Sequence, residues 1–205
     1  MSLGDLAAAR AQTLRLVAVL TQPQIDFSPR QGSWSIGEVL DHLLRSEHLY
    51  RSDIQTLIDL KRAGREPYLR HSFADVNVGP AFLPRPFLPL LELPLTMMSA
   101  FIPDILVDAL TEFPLVPVRN PDIATPRAGR DAAELRGALA QSIDATRVLL
   151  GANQDLDLRQ LVSSHPFTGS SNVPRILRFL AMHERRHHGQ ITRVLSHPHV
   201  PRAFG

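Results

Sequence analysis

Apolar residues recur at steps of three and four along four stretches of the chain, and polar residues fill the positions between them. Residues three and four apart lie on one face of a helix, so this spacing predicts four amphipathic helices. We expect them over residues 2–21, 35–64, 131–150 and 172–196. In the first helix, Arg10 and Arg15 fall outside the apolar face. Pro23 is expected to end this helix, and the connection that follows it suits a tight loop. Runs that alternate every second residue are few, although fragments such as 113–118 could be extended. The pattern therefore predicts an all-α fold.

Three of the predicted helices begin with capping signals. Ser35 followed by Glu38 is a capping box, in which each side chain bonds to the backbone N–H of the other residue. Asp131 and Asn172 are residue types that cap helices well. Pro174 falls in a first turn, where its missing N–H is not needed. These signals fix the expected starts of the second, third and fourth helices.

The segment between the second and third helices has a different character. Most of the chain's 17 prolines fall within residues 80–126, which excludes long regular elements over most of the segment. A short bent helix over 96–112 is expected to lie on the other helices or on a second subunit. Short connections elsewhere and one long crossover are typical of a four-helix bundle. We therefore predict a single domain over 1–205, a four-helix bundle with a Pro-rich crossover at 65–130 between its second and third helices.

Composition narrows the classes of function. The chain has 205 residues and no cysteine, which excludes disulfides, thiolate metal sites and a nucleophilic thiol of its own. The net charge of +2, without a basic cluster, gives little support for nucleic-acid binding. No charged segment precedes an apolar core at the N-terminus, so no signal peptide is predicted. The apolar stretch 87–110 contains acidic residues and prolines that argue against a membrane span. We expect a cytoplasmic protein that binds neither nucleic acid nor membrane.

Two histidines occupy the apolar face of the fourth predicted helix. His183 and His187 are one turn apart, at positions where a packed helix normally carries Leu or Ile. Burying an imidazole costs free energy unless its nitrogens find partners. Two core histidines hydrogen-bonded to backbone are one interpretation. One metal ion shared by both rings is the other, since neutral imidazole is a common ligand of zinc-like ions. His188 and Arg185 point away from this face and are expected on the surface.

The same residues form the HExxH pattern of zinc proteases, in which the glutamate is the general base. That glutamate is Glu184, and no Asp or Glu follows it that could serve as a downstream metal ligand. Gln190 and Arg193 stand where the extended pattern requires Gly and a third His. We therefore do not expect a protease.

The third ligand that we favour is His42, at the margin of the apolar face of the second helix. A site with three histidine ligands, two from one helix and one from another, has the composition of a catalytic metal centre. Such a centre leaves a coordination position for water or substrate. His197 and His199 are alternatives, but the C-terminal tail would have to fold back to bring them close.

The sequence indicates less about the residues that surround the ligands and about which metal ion is bound. Glu38, Asp41 and Gln190 are candidates to orient the rings or contact a substrate. Imidazole suits zinc, nickel, copper and iron alike, and zinc or nickel is the divalent ion that we expect.

Three blocks of the sequence resemble the DinB/YfiT-like superfamily. They are WSIGEVLDHLLRSE at 34–47, HPFTGSSN at 165–172 and HERRHHGQI at 183–191. Members of that family are four-helix bundles with a three-histidine metal site, so the resemblance implies the same fold and a metal site here.

Carried to this sequence, the resemblance implies metal binding by three histidines. His42 matches the histidine of the family's second helix, and His183 and His187 match the HxxxH of its last helix. Arg186 stands where members commonly have a further histidine, and its presence removes no ligand. The crossover is longer than in the smaller members, which limits any transfer of substrate.

The family also suggests a type of reaction. Some relatives are thiol-dependent transferases that act with small thiols such as bacillithiol or mycothiol. The resemblance implies a metal-dependent transferase or hydrolase acting on a small molecule, with any low-molecular-weight thiol supplied from outside. A bound ion suits such chemistry because it lowers the pKa of a coordinated water or thiol. The alternative is a non-catalytic, stress-associated binding module whose metal site is structural or vestigial. A homodimer is a further expectation.

Overall fold

Helices dominate the described part of the chain, as predicted. The computed structural model describes residues 3–71, 125–165 and 169–202. Within these ranges the α-helices are α1 Leu3–Val17, α2 Gln22–Asp26, α3 Ile36–Arg62, α4 Ala132–Gly151 and α5 Val173–Leu195. None of them is both long and apolar enough to cross a membrane. The predicted helix over 96–112, the fragment 113–118 and the apolar stretch 87–110 lie outside the described residues.

The predicted capping signals begin three of the long helices. The Ser35 hydroxyl accepts from Glu38 N at 3.1 Å, and the Glu38 carboxylate accepts from Ser35 N at 2.9 Å. Asp131 caps α4, and Asn172 caps α5 by accepting from Arg175 N at 3.0 Å. Each cap satisfies a backbone N–H that the helix itself leaves unpaired. Each contributes about 1 kcal/mol to the stability of the folded protein.

The first predicted helix is shorter than expected. It ends at Val17 rather than near Thr21, and the connection that was predicted to be a tight loop contains α2. Thr21 and Gln24 form a second capping box, and Pro23 lies in the first turn of α2 instead of terminating α1. Proline is compatible with a first turn, so its presence marks the start of the next helix here.

The four long helices pack with a polar layer between two apolar clusters. Helix α1 packs on α4 and α5, and α3 packs on the same two helices. One cluster includes Leu6, Ile54, Leu57, Leu150, Val173 and Ile176. The other includes Val17, Ile25, Val39, Leu40, Leu139 and Ile191. Along each long helix, buried polar residues separate the two clusters: Arg10, Thr13, Glu47, Ser142 and Glu184.

A small three-stranded sheet, which the sequence analysis did not predict, lies beside the helices. Its strands are β1 Tyr68–Arg70, β2 Val162–His165 and β3 Gly169–Asn172, in the order β1-β2-β3. Strands β1 and β2 are parallel with Leu69 opposite Ser163, and β2 and β3 are antiparallel with Ser163 opposite Ser171. Asn172 is the last residue of β3 and the N-cap of α5, so the sheet fixes where α5 begins.

Candidate metal centre

Three histidine rings meet between α3 and α5. His42 Nε2 lies 3.2 Å from His183 Nε2, although the two residues are 141 positions apart. His187 Nε2 lies 3.1 Å from the same His183 nitrogen. The three residues offer ligand atoms that all lie within 4.8 Å of one another. The structure therefore brings together the three residues that the sequence singled out.

Local structure explains the convergence. The capping box fixes the start of α3, which sets the direction of His42 in its second turn. His183 and His187 are four residues apart on α5, so their rings lie one above the other on one face. Phe179, one turn earlier, stacks on His183 with ring centroids 5.7 Å apart and planes 8° apart. Trp34 packs against His42 at 4.9 Å and stacks on His187 at 6.4 Å. Aromatic rings therefore border the cluster on both sides.

Burial lowers the pKa of two of these imidazoles, those of His183 and His187. His42 is 3 % exposed and His187 is 6 % exposed. Burial, helped by the neighbouring His42, lowers the pKa of His187 to about 3. Burial, together with His187 and His42, lowers the pKa of His183 well below its ordinary value. Uncharged rings retain a lone pair at neutral pH, which is the form that binds metals.

Gln190 orients one of the three rings. His187 Nδ1 lies 2.8 Å from Gln190 Oε1, one turn further along α5. A carbonyl oxygen can only accept, so this contact places the ring proton on Nδ1 and leaves the Nε2 lone pair facing the cluster. His183 Nδ1 has no hydrogen-bond partner within the described ranges, and its ring is held by the stack on Phe179. Of the three candidates for orienting residues, Gln190 takes this role.

The other two candidates have structural partners. The Glu38 carboxylate completes the cap of α3. Asp41 is fully buried and accepts from Arg130 Nη1 at 2.5 Å and from Arg127 N at 2.8 Å. Asp41 thus ties the chain before α4 to α3. Neither carboxylate has a contact with the three rings among the described interactions.

The glutamate of the HExxH pattern faces away from the histidines. Glu184 is 1 % exposed and accepts from Arg10 Nε at 2.7 Å, Arg10 Nη2 at 3.1 Å and Thr13 Oγ1 at 2.7 Å. A carboxylate neutralised by a buried guanidinium is not placed to take a proton from a water at the cluster. This geometry supports the prediction that the chain is not a zinc protease.

Arg10 and His188, which were both predicted to lie outside the apolar faces of their helices, are buried. Arg10 is 1 % exposed, and besides Glu184 it contacts Glu47 Oε2 at 2.9 Å. His188 is 8 % exposed, and its Nε2 lies 2.9 Å from Thr13 Oγ1. The signal for Arg10 was present, because it falls in one stripe with buried residues four before and three after it. The prediction left this charged residue outside the apolar face, because its carboxylate partners were not recognisable from the sequence.

The alternative third ligands lie elsewhere. His197 packs against Phe27 with ring centroids 5.5 Å apart, and His199 packs against His197. Neither belongs to the described group of residues that could hold a metal ion. The tail therefore does not bring them to the cluster.

Comparison with known proteins gives a family assignment. No curated protein and no solved structure is significantly similar to the chain. The sequence profile of the DinB superfamily matches residues 5–191, which include all three clustered histidines. The match covers most of the 205 residues. The chain therefore belongs to the DinB superfamily.

Proposed function

We propose that this protein binds a divalent metal ion, zinc or nickel, through the Nε2 atoms of His42, His183 and His187. The observation that carries the proposal is the convergence of these three nitrogens, with separations of 3.1 and 3.2 Å from His183. Two nitrogens that each lie about 2.0–2.1 Å from a tetrahedral zinc are about 3.3–3.4 Å apart. The cluster is close to that spacing, and its buried imidazoles can act as neutral nitrogen ligands of a cation.

The helices that carry the ligands fit a known type of site. We infer that α1, α3, α4 and α5 form a four-helix bundle, in which metal sites are built from side chains that project inward from facing helices. His42 projects from α3, while His183 and His187 project from α5. Trp34 and Phe179 pack on the rings and limit the access of water around them.

Three histidine ligands suit a catalytic centre better than a closed structural one, which normally has four protein ligands. We propose a transferase or hydrolase that acts on a small molecule. When bound, the ion would activate a coordinated water or thiol by lowering its pKa. Any thiol comes from outside, because the chain has no cysteine. Gln190 holds His187 with its lone pair toward the ion.

Metal analysis tests the site. Purified wild-type protein, loaded with zinc or nickel and dialysed, should retain about one ion per chain. His42→Ala and His183→Ala should each retain at most a tenth of that amount, because two imidazoles alone hold such ions weakly. His48→Ala is the matched control, since His48 is an exposed histidine on the same helix. Wild-type metal content in both cluster variants would reject the proposal.

Cobalt substitution tests whether the ion has a position open to a thiol. The visible absorption of Co²⁺-loaded protein should change on addition of a small thiol and gain the intense near-ultraviolet band of a cobalt–sulfur bond. The band is expected because a three-ligand site leaves room for an exogenous ligand. A spectrum that is insensitive to thiol would instead support the non-catalytic module with a structural metal site.

A further inference from the structure

Two hydroxyl groups follow His42 along α3 at steps of one helical turn. Ser46 and Tyr50 are four and eight residues after His42, so their side chains lie near the same face of the helix. Four residues of a helix rise about 6 Å, which places Ser46 one turn and Tyr50 two turns from the proposed metal ligand. Long side chains on a helix lean toward its N-terminus, so the Tyr50 ring leans toward the turn that carries Ser46.

Aromatic contacts connect Tyr50 to the histidine cluster across the two helices. The Tyr50 ring lies 5.4 Å from the ring of Phe179 on α5, measured between centroids. Phe179 in turn stacks on His183 at 5.7 Å, with the ring planes 8° apart. Tyr50 and Phe179 thus form the layer of side chains next to the imidazoles, between α3 and α5. Ser46 belongs to the turn of α3 between this layer and His42.

Among the described residues, the hydroxyl groups of Ser46 and Tyr50 have no hydrogen-bond partner. Ser46 is only 6 % exposed, and Tyr50 is partly buried. Polar groups on buried side chains are nearly always hydrogen-bonded, as Glu47 on the same helix is to Thr146 at 2.7 Å. Unlike His183 Nδ1, neither hydroxyl oxygen is fully enclosed. Both hydroxyl groups are therefore accessible to a small molecule that could satisfy them.

Burial and a neighbouring carboxylate determine the chemical state of Tyr50. Burial, together with the charge of Asp53, raises the pKa of Tyr50 above its ordinary value. The phenol is therefore a neutral hydrogen-bond donor at physiological pH. Asp53, three residues further along α3, accepts from Ser163 Oγ at 3.3 Å and lies 2.8 Å from His71 Nε2. Its carboxylate disfavours a second anion beside Tyr50, so an uncharged oxygen is the acceptor that suits this position.

We propose that Ser46 and Tyr50 bind the substrate of the metal centre, and that the end of this substrate away from the ion carries an uncharged acceptor oxygen, such as that of an amide, a ketone or an alcohol. This inference rests on the proposed metal function. One end of the molecule lies at the open coordination position, and the other end accepts hydrogen bonds from the two hydroxyl groups. The spacing of turns along α3 sets the distance between the two ends at roughly 6 Å.

Three small thiols of similar length test the chemistry of the end away from the ion. Cobalt-loaded wild-type protein should bind 3-mercaptopropionamide at least tenfold more tightly than 1-propanethiol, as measured from the cobalt–sulfur absorption band. It should bind 3-mercaptopropionate at least tenfold more weakly than the amide, because the carboxylate is repelled by Asp53. Equal affinity for the three thiols, or tightest binding of the carboxylate, would overturn the proposal.

Variants locate the contact. Ser46→Ala and Tyr50→Phe should each lower the preference for the amide over propanethiol to threefold or less. Both should retain about one ion per chain, because neither residue is a proposed ligand, and circular dichroism melts check that they fold. Ser52→Ala and Tyr68→Phe are the matched controls, since Ser52 is exposed on the same helix and Tyr68 is 43 % exposed on β1. Both controls should keep the wild-type preference. An unchanged preference in Ser46→Ala and Tyr50→Phe would reject the proposal.

The two tyrosines of the chain, Tyr50 and Tyr68, allow the contact to be observed directly. Zinc-loaded protein labelled with 3-fluorotyrosine should give two fluorine resonances, which the Tyr68→Phe variant assigns. Saturating 3-mercaptopropionamide should shift the Tyr50 resonance and leave the Tyr68 resonance in place. An unmoved Tyr50 resonance in a protein whose cobalt form shows the cobalt–sulfur band would overturn this inference and leave the metal function standing. Absence of both the band and a bound ion would reject the metal function, and the substrate inference with it.

Discussion

A neutral side chain, Gln190, hydrogen-bonds to the His187 ring and sets its tautomer. Gln190 Oε1 is 2.8 Å from His187 Nδ1, and the opposite nitrogen of the same ring is 3.1 Å from His183 Nε2. A partner of this kind fixes both the tautomer and the rotation of a metal-binding imidazole, and its loss typically reduces metal affinity by about 10–100-fold. The contact is also local to α5, so its removal should not disturb the packing of other helices.

We expect Gln190→Leu to lower zinc affinity by about 10–100-fold, because the His187 ring loses the acceptor that keeps its proton on Nδ1. Gln190→Glu should retain the affinity, since a carboxylate accepts from the same ring nitrogen. Competition with a chromophoric chelator measures both, and thermal melts of the metal-free variants check the fold. An affinity of Gln190→Leu equal to that of the wild type would show that this contact does not orient the ligand.

At the level of single residues, the sequence predicted His183 and His187 because they are polar residues on an otherwise apolar helix face, and His42 because it lies at the margin of another such face. It did not predict the buried partners of Arg10, because a lone arginine in a stripe is compatible with solvent exposure when its partners are unknown. Those partners, Glu47 and Glu184, come from two other helices. Contacts between distant residues are set by packing, which the periodicity of one helix does not contain.

Among the elements, the four long helices were predictable because capping residues and long periodic stripes report the local structure. The strands were not predictable because each has only three or four residues, and β2 and β3 are rich in serine. Such short segments become strands only when a neighbour supplies the hydrogen bonds. Here β2 pairs with both β1 and β3, and β1 comes from a distant part of the chain.

Arg10 joins all four long helices through one side chain. From α1 it donates to Glu184 on α5 and to the carbonyl of Leu139 on α4, and it forms an ion pair with Glu47 on α3. The side chains of Arg10, Glu47 and Glu184 are each 2 % exposed. Removing the guanidinium of Arg10 would leave the buried carboxylates of Glu47 and Glu184 without their main partner. Leaving buried charges unpaired costs more free energy than replacing all three residues by apolar ones.

We therefore expect Arg10→Met to reduce the free energy of unfolding by about 3–5 kcal/mol. Urea denaturation monitored by circular dichroism measures the change. Arg15→Met on the same helix is the control, since Arg15 is exposed and its substitution should cost no more than about 0.5 kcal/mol. A loss below about 1 kcal/mol for Arg10→Met would mean that the layer relaxes or admits water and does not depend on this cation.

For the molecule as a whole, the proposed metal site acts as a link between parts that are far apart in sequence. His42 is on α3, whereas His183 and His187 are on α5, more than 140 positions later in the chain. In the unfolded chain, His42 is not held near the other two histidines. His183 and His187 point to the same side only when α5 is helical. An ion should therefore bind the folded state more tightly than the unfolded state, and it should stabilise the fold by mass action.

The last prediction follows from this difference in affinity. Zinc at a free concentration one hundred times its dissociation constant should stabilise the wild-type protein by about 2.7 kcal/mol, and addition of a chelator should reverse the effect. The His42→Ala protein should gain little, because its two remaining histidines lie on one helix and no longer connect α5 to α3. The His48→Ala protein should respond like the wild type, since His48 is exposed and outside the cluster. Urea unfolding with and without zinc gives all three values. Equal stabilisation of the His42→Ala protein would mean that the ion does not connect the two helices and binds through α5 alone.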